Sequence, residues 1–522
     1  MRLFTIGESI SQGFMSGAAA RTDLSFSTVI AEVLGLSTGD RPDSAFRFPG
    51  WPKGGHPVDL EALMRKLSRR YGSDIWGPIE WPAALFTIGA FLDDIEDYYE
   101  RAEGDEDTPY PTGTEWFHNV AVRSFDVADT WLVSPRLCRE QIEFDNQHGG
   151  GKDNAFATPN AGFYRTALTV LNPSRQPEYD GHTALRWLEA HAKDETGEGG
   201  VENLILWLGS NNALGTVVDL DIISTENDTG TSPLDLHQPE RVKFNLWTPE
   251  HFEEEYRELF KRVHETMAAN VEENWNVFVG TVPAVTIAPL AKGVGEAIPR
   301  EDPFGVAGNN AYYYKYYTYF IFDEDFAHTS DVRLTRDEAY HIDRTIARYN
   351  ETIEKVVEEK NDALGVKRYH IVDIARVLIK LAYKRNNGQP TYELPEYLEN
   401  LSPKPNTKYY HADRKGRLVQ GGIVSLDGVH PSAIGQALIA HEFLKVMKEA
   451  GVAGAEPEDI PWEAVCRRDK LWKKPLNNMA ELYEHETLAE IIIRFIRRCS
   501  KDETDPPTRR IRRGGRDPDM TP

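Results

Sequence analysis

An α/β fold built on a parallel sheet is predicted by two patterns in the sequence. Short apolar runs recur along the chain without polar alternation, which marks strands buried on both faces. Amphipathic helical stretches separate these runs, which puts helices on both sides of the sheet. A third observation, the long spacing between runs, predicts large insertions at the strand ends.

The first run, Leu3 to Ile6, stops abruptly at Gly7, Glu8 and Ser9, with Gly13 following, and reads as a strand, a tight turn and a helix start. Further strand runs are "FHNVAV" at 117–122, "NLILWLG" at 203–209, "WNVFVGTVPAV" at 275–285 and "YHIVDIA" at 369–375. Between the last two strands, Thr335 opens a helix with a capping box, "TRDE", and Ile342, Ile346, Tyr349 and Ile353 fall on one face. A late helix repeats the pattern with Ala433, Ala437, Ala440, Leu444 and Met447. Residues 1–450 thus read as one domain interrupted near 40–115, 211–248, 284–334 and 385–425. Some insertions carry their own helices, such as the stretch from Val58, and in a parallel sheet insertions gather where ligands bind. Residues 451–498 read as a helical extension, and 499–522 as a charged, Pro/Gly-rich tail expected to be disordered.

Composition narrows the function. An apolar fraction of 40% with 22 Tyr and 22 Phe belongs to a globular chain rather than a disordered one. With 59 Lys and Arg against 83 Asp and Glu, the net charge of −24 disfavours nucleic acid as a partner, because phosphate binding needs a basic footprint. The three cysteines, Cys138, Cys466 and Cys499, form no CxxC pair and imply neither a disulfide framework nor a zinc knuckle. No apolar run is long enough for a membrane span, and the first strand begins too early for a signal peptide, so a cytoplasmic location is expected. No pattern specifies an oligomeric state.

Three stretches carry chemistry. Ser9, at the end of a strand and the start of a helix, is either an N-cap or a nucleophile with helix N–H groups nearby. A nucleophilic serine needs a base, a group that orients the base and donors for the oxyanion. "SLDGVHPSAIG" supplies His430 with Asp427 three residues before it, in a glycine-containing loop ahead of a helix. "LWLGSNNAL" ends a buried run at Gly209 and offers Asn211, whose amide is either an oxyanion donor or an ordinary turn group.

Taken together, "GES" with a following "QG", then "GSNN", then "DGVHP", resemble the SGNH hydrolases, also called the GDSL esterases and lipases. The likeness covers roughly residues 2–447 and excludes the remainder. It implies a three-layer α/β/α, flavodoxin-like sheet of about five parallel strands. In that order the switch point lies between the first and third strands, the ones that end near Ser9 and Asn211. It further implies that Ser9 is the nucleophile, His430 the base and then the acid, and Asp427 the residue that orients His430. The oxyanion donors it implies are the Ser9 backbone, the Asn211 side chain and a backbone N–H in "NVAVRSFDVADTW", where Ser124 stands in place of the usual glycine. Glu8 and Asn212 replace the family's usual aspartates in the first and third blocks.

The expectation is a serine hydrolase that cleaves carboxylic esters of lipid, carbohydrate or other small molecules through an acyl-enzyme, without cofactor or metal. An acyltransferase on the same fold, or a ligand-binding protein impaired at Glu8 and Ser124, are the alternatives. Most of the 15 histidines, including His56, His118 and His182, fall in no ligand spacing, and the acidic "DEDF" and "GDEDT" lack a calcium-loop pattern. "RRIRRGGR" reads as a solvated basic tail. The tyrosine-rich run at 309–326 follows the fourth strand run, and the expectation is that it walls the active-site cleft.

Overall fold

The computed structural model describes residues 1–53, 55–75, 77–148, 158–225, 232–306, 310–484 and 486–500. Its centre is a four-stranded parallel sheet with helices on both faces, as the patterning predicts. In chain order, β1 (Phe4–Gly7) leads into α1 (Ser9–Gln12), with α2 (Phe26–Val33) after it. Next come α3 (Ala184–Ala192), β2 (Asn203–Trp207), α4 (Asn211–Asp219), α5 (Pro249–Ala268) and β3 (Asn276–Gly280). A hairpin of β4 (Ala291–Glu301) and β5 (Asn310–Tyr319) precedes α6 (Arg336–Leu364), β6 (Tyr369–Val372) and α7 (Ile374–Leu381). The chain continues through α8 (Ala433–Glu449) to α9 (Glu486–Ser500), which extends two residues into the expected tail. The rest of that tail, 501–522, lies outside the described residues.

The sheet order is β1-β2-β3-β6, and all three pairings are parallel. Alternation along each strand splits its side chains between two cores. Phe4, Ile6, Leu204, Leu206, Val277, Val279 and Tyr369 enter the larger one with α3, α5 and α6. Ile205, Trp207, Phe278 and Val372 enter the other with α2, α7 and α8. The predicted helix faces are the buried ones, with Ile342, Ile346, Tyr349 and Ile353 on α6 and Ala433, Ala437, Ala440, Leu444 and Met447 on α8. The Thr335–Glu338 capping box also forms.

Two strand expectations need correction. Residues 117–122 are not a strand of the sheet: they run beside β1 through a single parallel bridge, Thr5 with Asn119. Three backbone bonds hold them there, Thr5 N to His118 O (2.9 Å), Val120 N to Thr5 O (3.0 Å) and Val122 N to Gly7 O (3.2 Å). The run at 275–285 is a strand only to Gly280, because Pro283 lacks the N–H a central strand must donate. Beyond it, Val285–Ile287 turn into a 3-10 helix.

The tyrosine-rich run faces inward. β5 pairs antiparallel with β4 and with Leu334–Thr335, and Tyr313, Tyr317 and Tyr319 are buried. Tyr313 and Arg385 both reach the Asp343 carboxylate (2.8 and 3.0 Å), and Arg385 also meets the Tyr317 hydroxyl at 2.9 Å. The hairpin is thereby pinned to α6 through a charge pair whose side chains are 1% and 0% exposed. No helix among the described residues is long and apolar enough to cross a membrane.

Removing one partner of a buried pair strands the other charge, so Asp343→Ala is expected to destabilise the protein by about 3–5 kcal/mol. Chemical denaturation measures it, and a loss under about 1 kcal/mol would mean that the pair does not anchor the hairpin.

Candidate active site

The parallel register brings three chain segments to one edge of the sheet. Gly7 of β1 pairs with Trp207 of β2, and Val122 bonds to Gly7, so Ser9, Asn211 and Ser124 all follow at the same carboxyl ends. Gly7 is required by closeness: a Cβ there would stand 2.2 Å from Ser11 Oγ, where α1 folds back over the strand.

Ser9 is the first residue of α1 and does not cap it; Glu8 holds the cap position and makes no side-chain cap bond. The Ser9 hydroxyl instead lies 2.9 Å from His430 Nε2. On the far side of the ring, Nδ1 is 3.0 Å from Asp427 Oδ2. A carboxylate only accepts, so Nδ1 carries the hydrogen and Nε2 of the neutral ring accepts the serine proton. Phe14 packs against the imidazole with ring centroids 4.7 Å apart.

Asp427 is built into two loops. Oδ1 accepts from Val429 N (2.9 Å), His430 N (2.8 Å) and Ser425 Oγ (3.2 Å), and Oδ2 accepts from Gly17 N at 2.9 Å. Burial pushes this carboxyl up, but the His430 ring and the backbone N–H groups outweigh it and hold it below the usual carboxylate range. The loop itself is clamped by Ser425 N to His430 O (2.8 Å) and by the Tyr409 hydroxyl on Leu426 O (2.6 Å). The contribution of Ser16, Gly17 and Phe14 was not legible in the sequence. "GFMSG" has no signal beyond its glycines, and its partners lie some 410 residues away.

Asn211 and Ser124 line the same cleft as Ser9, Asp427 and His430, a space of about 390 Å³. Ser124 holds a φ of 62°, the left-handed region that glycine normally occupies, so its backbone keeps a glycine-like turn despite the side chain. Asn211 is more constrained than its sequence motif implies. Its Nδ2 donates to Phe125 O (2.8 Å) and to Glu8 Oε2 (3.1 Å), which engages both amide hydrogens, and its backbone N also reaches Glu8 Oε2 at 3.2 Å. Glu8, one methylene longer than aspartate, thus spans from the first block to the third. Burial pushes its carboxyl up to about 7, opposed only in part by the facing turn at Gly209–Asn211, and Oε1 has no hydrogen-bond partner among the described residues.

Asn212 points the other way. Its Oδ1 accepts from Val127 N and its Nδ2 donates to Glu255 Oε2, both at 3.3 Å. An aspartate there would face Glu255 with no donor. Arg241, bonded to both Asp126 (2.9 Å) and Glu255, completes a buried cluster beneath the Ser124 loop.

A larger cavity of about 890 Å³ also opens on Ser9 and His430. Its walls come from Pro283–Pro289, α7, Ile423–Val424 and α8, and the side chains are aliphatic: Ile287, Leu378, Leu381, Leu438 and Ile439 among them. Lys384 steadies one wall by donating to the carbonyls of Thr286 and Ala288, each at 2.8 Å. None of residues 310–326 lines either space, so the tyrosine-rich run is not a cleft wall; it backs the site through Phe320, stacked on Tyr409 at 3.7 Å, and through the Tyr319 hydroxyl, which donates to the carbonyl of the cleft residue Val218 at 2.7 Å. No group of three or more His, Cys, Asp or Glu among the described residues is arranged to hold a metal ion. No protein-family model, curated protein or solved structure matches the chain.

Glu8 gives this site a pH signature in stability. Its folded value near 7 lies above its ordinary 4.5, so its contribution is fully present below about pH 4.5 and is lost as pH rises through about 7. Glu8→Gln is expected to stabilise the protein at pH 8 relative to wild type, by roughly 1–3 kcal/mol, and to leave it unchanged or weaker at pH 4.5. Thermal unfolding at the two pH values checks this, and an equal effect at both would refute a neutral buried carboxyl.

Proposed function

We propose that the protein is a serine hydrolase of the SGNH type that cleaves carboxylic esters through an acyl-enzyme on Ser9. The observation that carries this reading is the continuous relay from Ser9 Oγ to His430 Nε2 (2.9 Å) and from His430 Nδ1 to Asp427 (3.0 Å). Supporting it, the four parallel strands lie in the order β1-β2-β3-β6, and residues 117–122 run beside β1 through one bridge, where the resemblance implies an edge strand. Helices cover both faces of the sheet, as in the three-layer architecture.

In this mechanism Ser9 Oγ attacks the ester carbonyl carbon while its proton passes to His430 Nε2. The oxyanion that forms takes hydrogen bonds from the Ser9 and Ser124 backbone and from Asn211. Collapse breaks the bond to the alcohol, which leaves with the proton from His430. Water then repeats the sequence on the acyl-enzyme, giving its proton to His430 and releasing the acid and Ser9. Asp427, kept ionised by its donors, holds the imidazole in register and stabilises its charged form. No step calls for a cofactor. The aliphatic cavity beside Ser9 favours a lipid-like acyl chain over a sugar, whose hydroxyls would find almost no partners there. A cytoplasmic location is part of the same proposal.

One observation favours a second reading, a ligand-binding protein with an impaired oxyanion hole: both Asn211 amide hydrogens are already engaged. Catalysis requires one of them to turn from Glu8 or Phe125 to the substrate.

A fluorophosphonate probe should label Ser9 in the native protein, and Ser9→Ala should abolish labelling. Ser9→Ala and His430→Ala should each remove most turnover of nitrophenyl esters, with the double variant little worse than either. Absence of both labelling and ester turnover would select the binding-protein reading, because the probe needs an activated serine, and near-normal turnover by Ser9→Ala would overturn the serine mechanism. Asn211→Ala is expected to lower kcat by about two to three orders of magnitude with KM nearly unchanged. Steady-state kinetics tests this, and a change confined to KM would take Asn211 out of the oxyanion hole.

A further inference from the structure

The smaller cleft is closed by a residue from outside the part of the chain that resembles a hydrolase. Helix α9 buries Leu488, Ile492, Ile493, Phe495 and Ile496 in the main core, so it is an integral layer of the fold. It runs along α4, and Arg497 Nε meets Asp219 Oδ1 at 3.4 Å near the end of that helix. Asn211, Leu214 and Val218 of α4 line the cleft, and Ile496, only 4% exposed, lines it together with Ser9 and His430.

The two spaces at Ser9 differ in size and in what bounds them. The aliphatic cavity of about 890 Å³ is walled mainly by segments between residues 283 and 439, together with Ile10, Ser210 and Leu214, and Ile496 is not part of its lining. The cleft of about 390 Å³ holds Ser124, Asn211 and Asp427, and one apolar side of it is Ile496. Isoleucine is branched at Cβ and stiff at χ1, and its helix is held by the core residues that precede it and by the Arg497–Asp219 contact that follows, which restricts this side chain.

We propose that Ile496 sets the size of the group admitted to the smaller cleft, which makes the C-terminal helix a specificity element of the enzyme. This rests on the hydrolase reading above. A substrate then carries a long aliphatic portion on one side of the ester and a compact portion on the other, and the limit on the compact portion is written in a segment that has no part in the reaction itself.

The test uses the full chain and two ester series. One varies the bulk of the alcohol on a fixed acyl chain, and the other varies branching of the acyl group on a fixed alcohol. Because a pocket discriminates by about tenfold or more for each methylene-sized change, Ile496→Ala is expected to raise the bulky-to-compact ratio of kcat/KM about tenfold in one series. Ile496→Val should fall between it and wild type, and Ile496→Trp should lower the ratio. Ile491→Ala, on the same helix but absent from the cleft lining, should leave the ratio as it is. An active enzyme in which no Ile496 variant shifts either ratio overturns the inference alone, as does an equal shift from Ile491→Ala, which would reflect a loosened helix. A native protein inert to every ester and to the fluorophosphonate overturns the hydrolase reading and the inference with it.

Discussion

The site depends on one buried carboxylate. Asp427 accepts from Gly17, Val429 and His430 backbone N–H groups, from Ser425 and from the His430 ring, which together replace the water it gives up. These donors come from both ends of the main domain. Satisfying them closes the domain, seats the 423–432 loop against the turn after α1, and fixes the imidazole toward Ser9. Removing any donor leaves a charged oxygen underserved at a buried position, so the geometry is held by the avoidance of that penalty.

A second constraint is the parallel sheet, which collects catalytic groups without regard to their distance in sequence. Strands that run the same way end at the same edge, and the turns that follow each one meet there. Ser9, Ser124 and Asn211 are separated by long stretches of chain yet line one cleft. The insertions between strands then do different work. Residues 283–289 wall the aliphatic cavity, while the hairpin of β4 and β5 stiffens α6 through Asp343 and Arg385.

Glu8 and Asn212 are each tied in place by their neighbours. Glu8 reaches Asn211, which links the turn after β1 to the turn after β2, and burial pushes its carboxyl up to about 7. Asn212 donates to the buried Glu255 carboxyl on its other side.

The sequence by itself determined the parallel α/β class and the strand runs at β1, β2, β3 and β6, and it singled out Ser9, Asp427 and His430, which the fold joins in one hydrogen-bonded chain. These were legible because each rests on a local pattern: an unalternating apolar run, a glycine turn at a strand end, a histidine three residues after an aspartate. Tertiary structure decided the rest. Residues 117–122 have strand-like composition but lie beside β1 with one bridge, since an edge segment is defined by its partner's bonds rather than by its own residues. The tyrosine run has the composition of a cleft wall, yet its buried hydroxyls are spent on Asp343, Arg385 and the Val218 carbonyl. The Asn211 bond to Glu8, the Gly17 bond to Asp427 and the shared cleft lining of Ile496 and Ser9 all join residues hundreds of positions apart. Hydrogen bonds and packing between such residues leave no periodicity in the chain, and only the folded geometry brings them together.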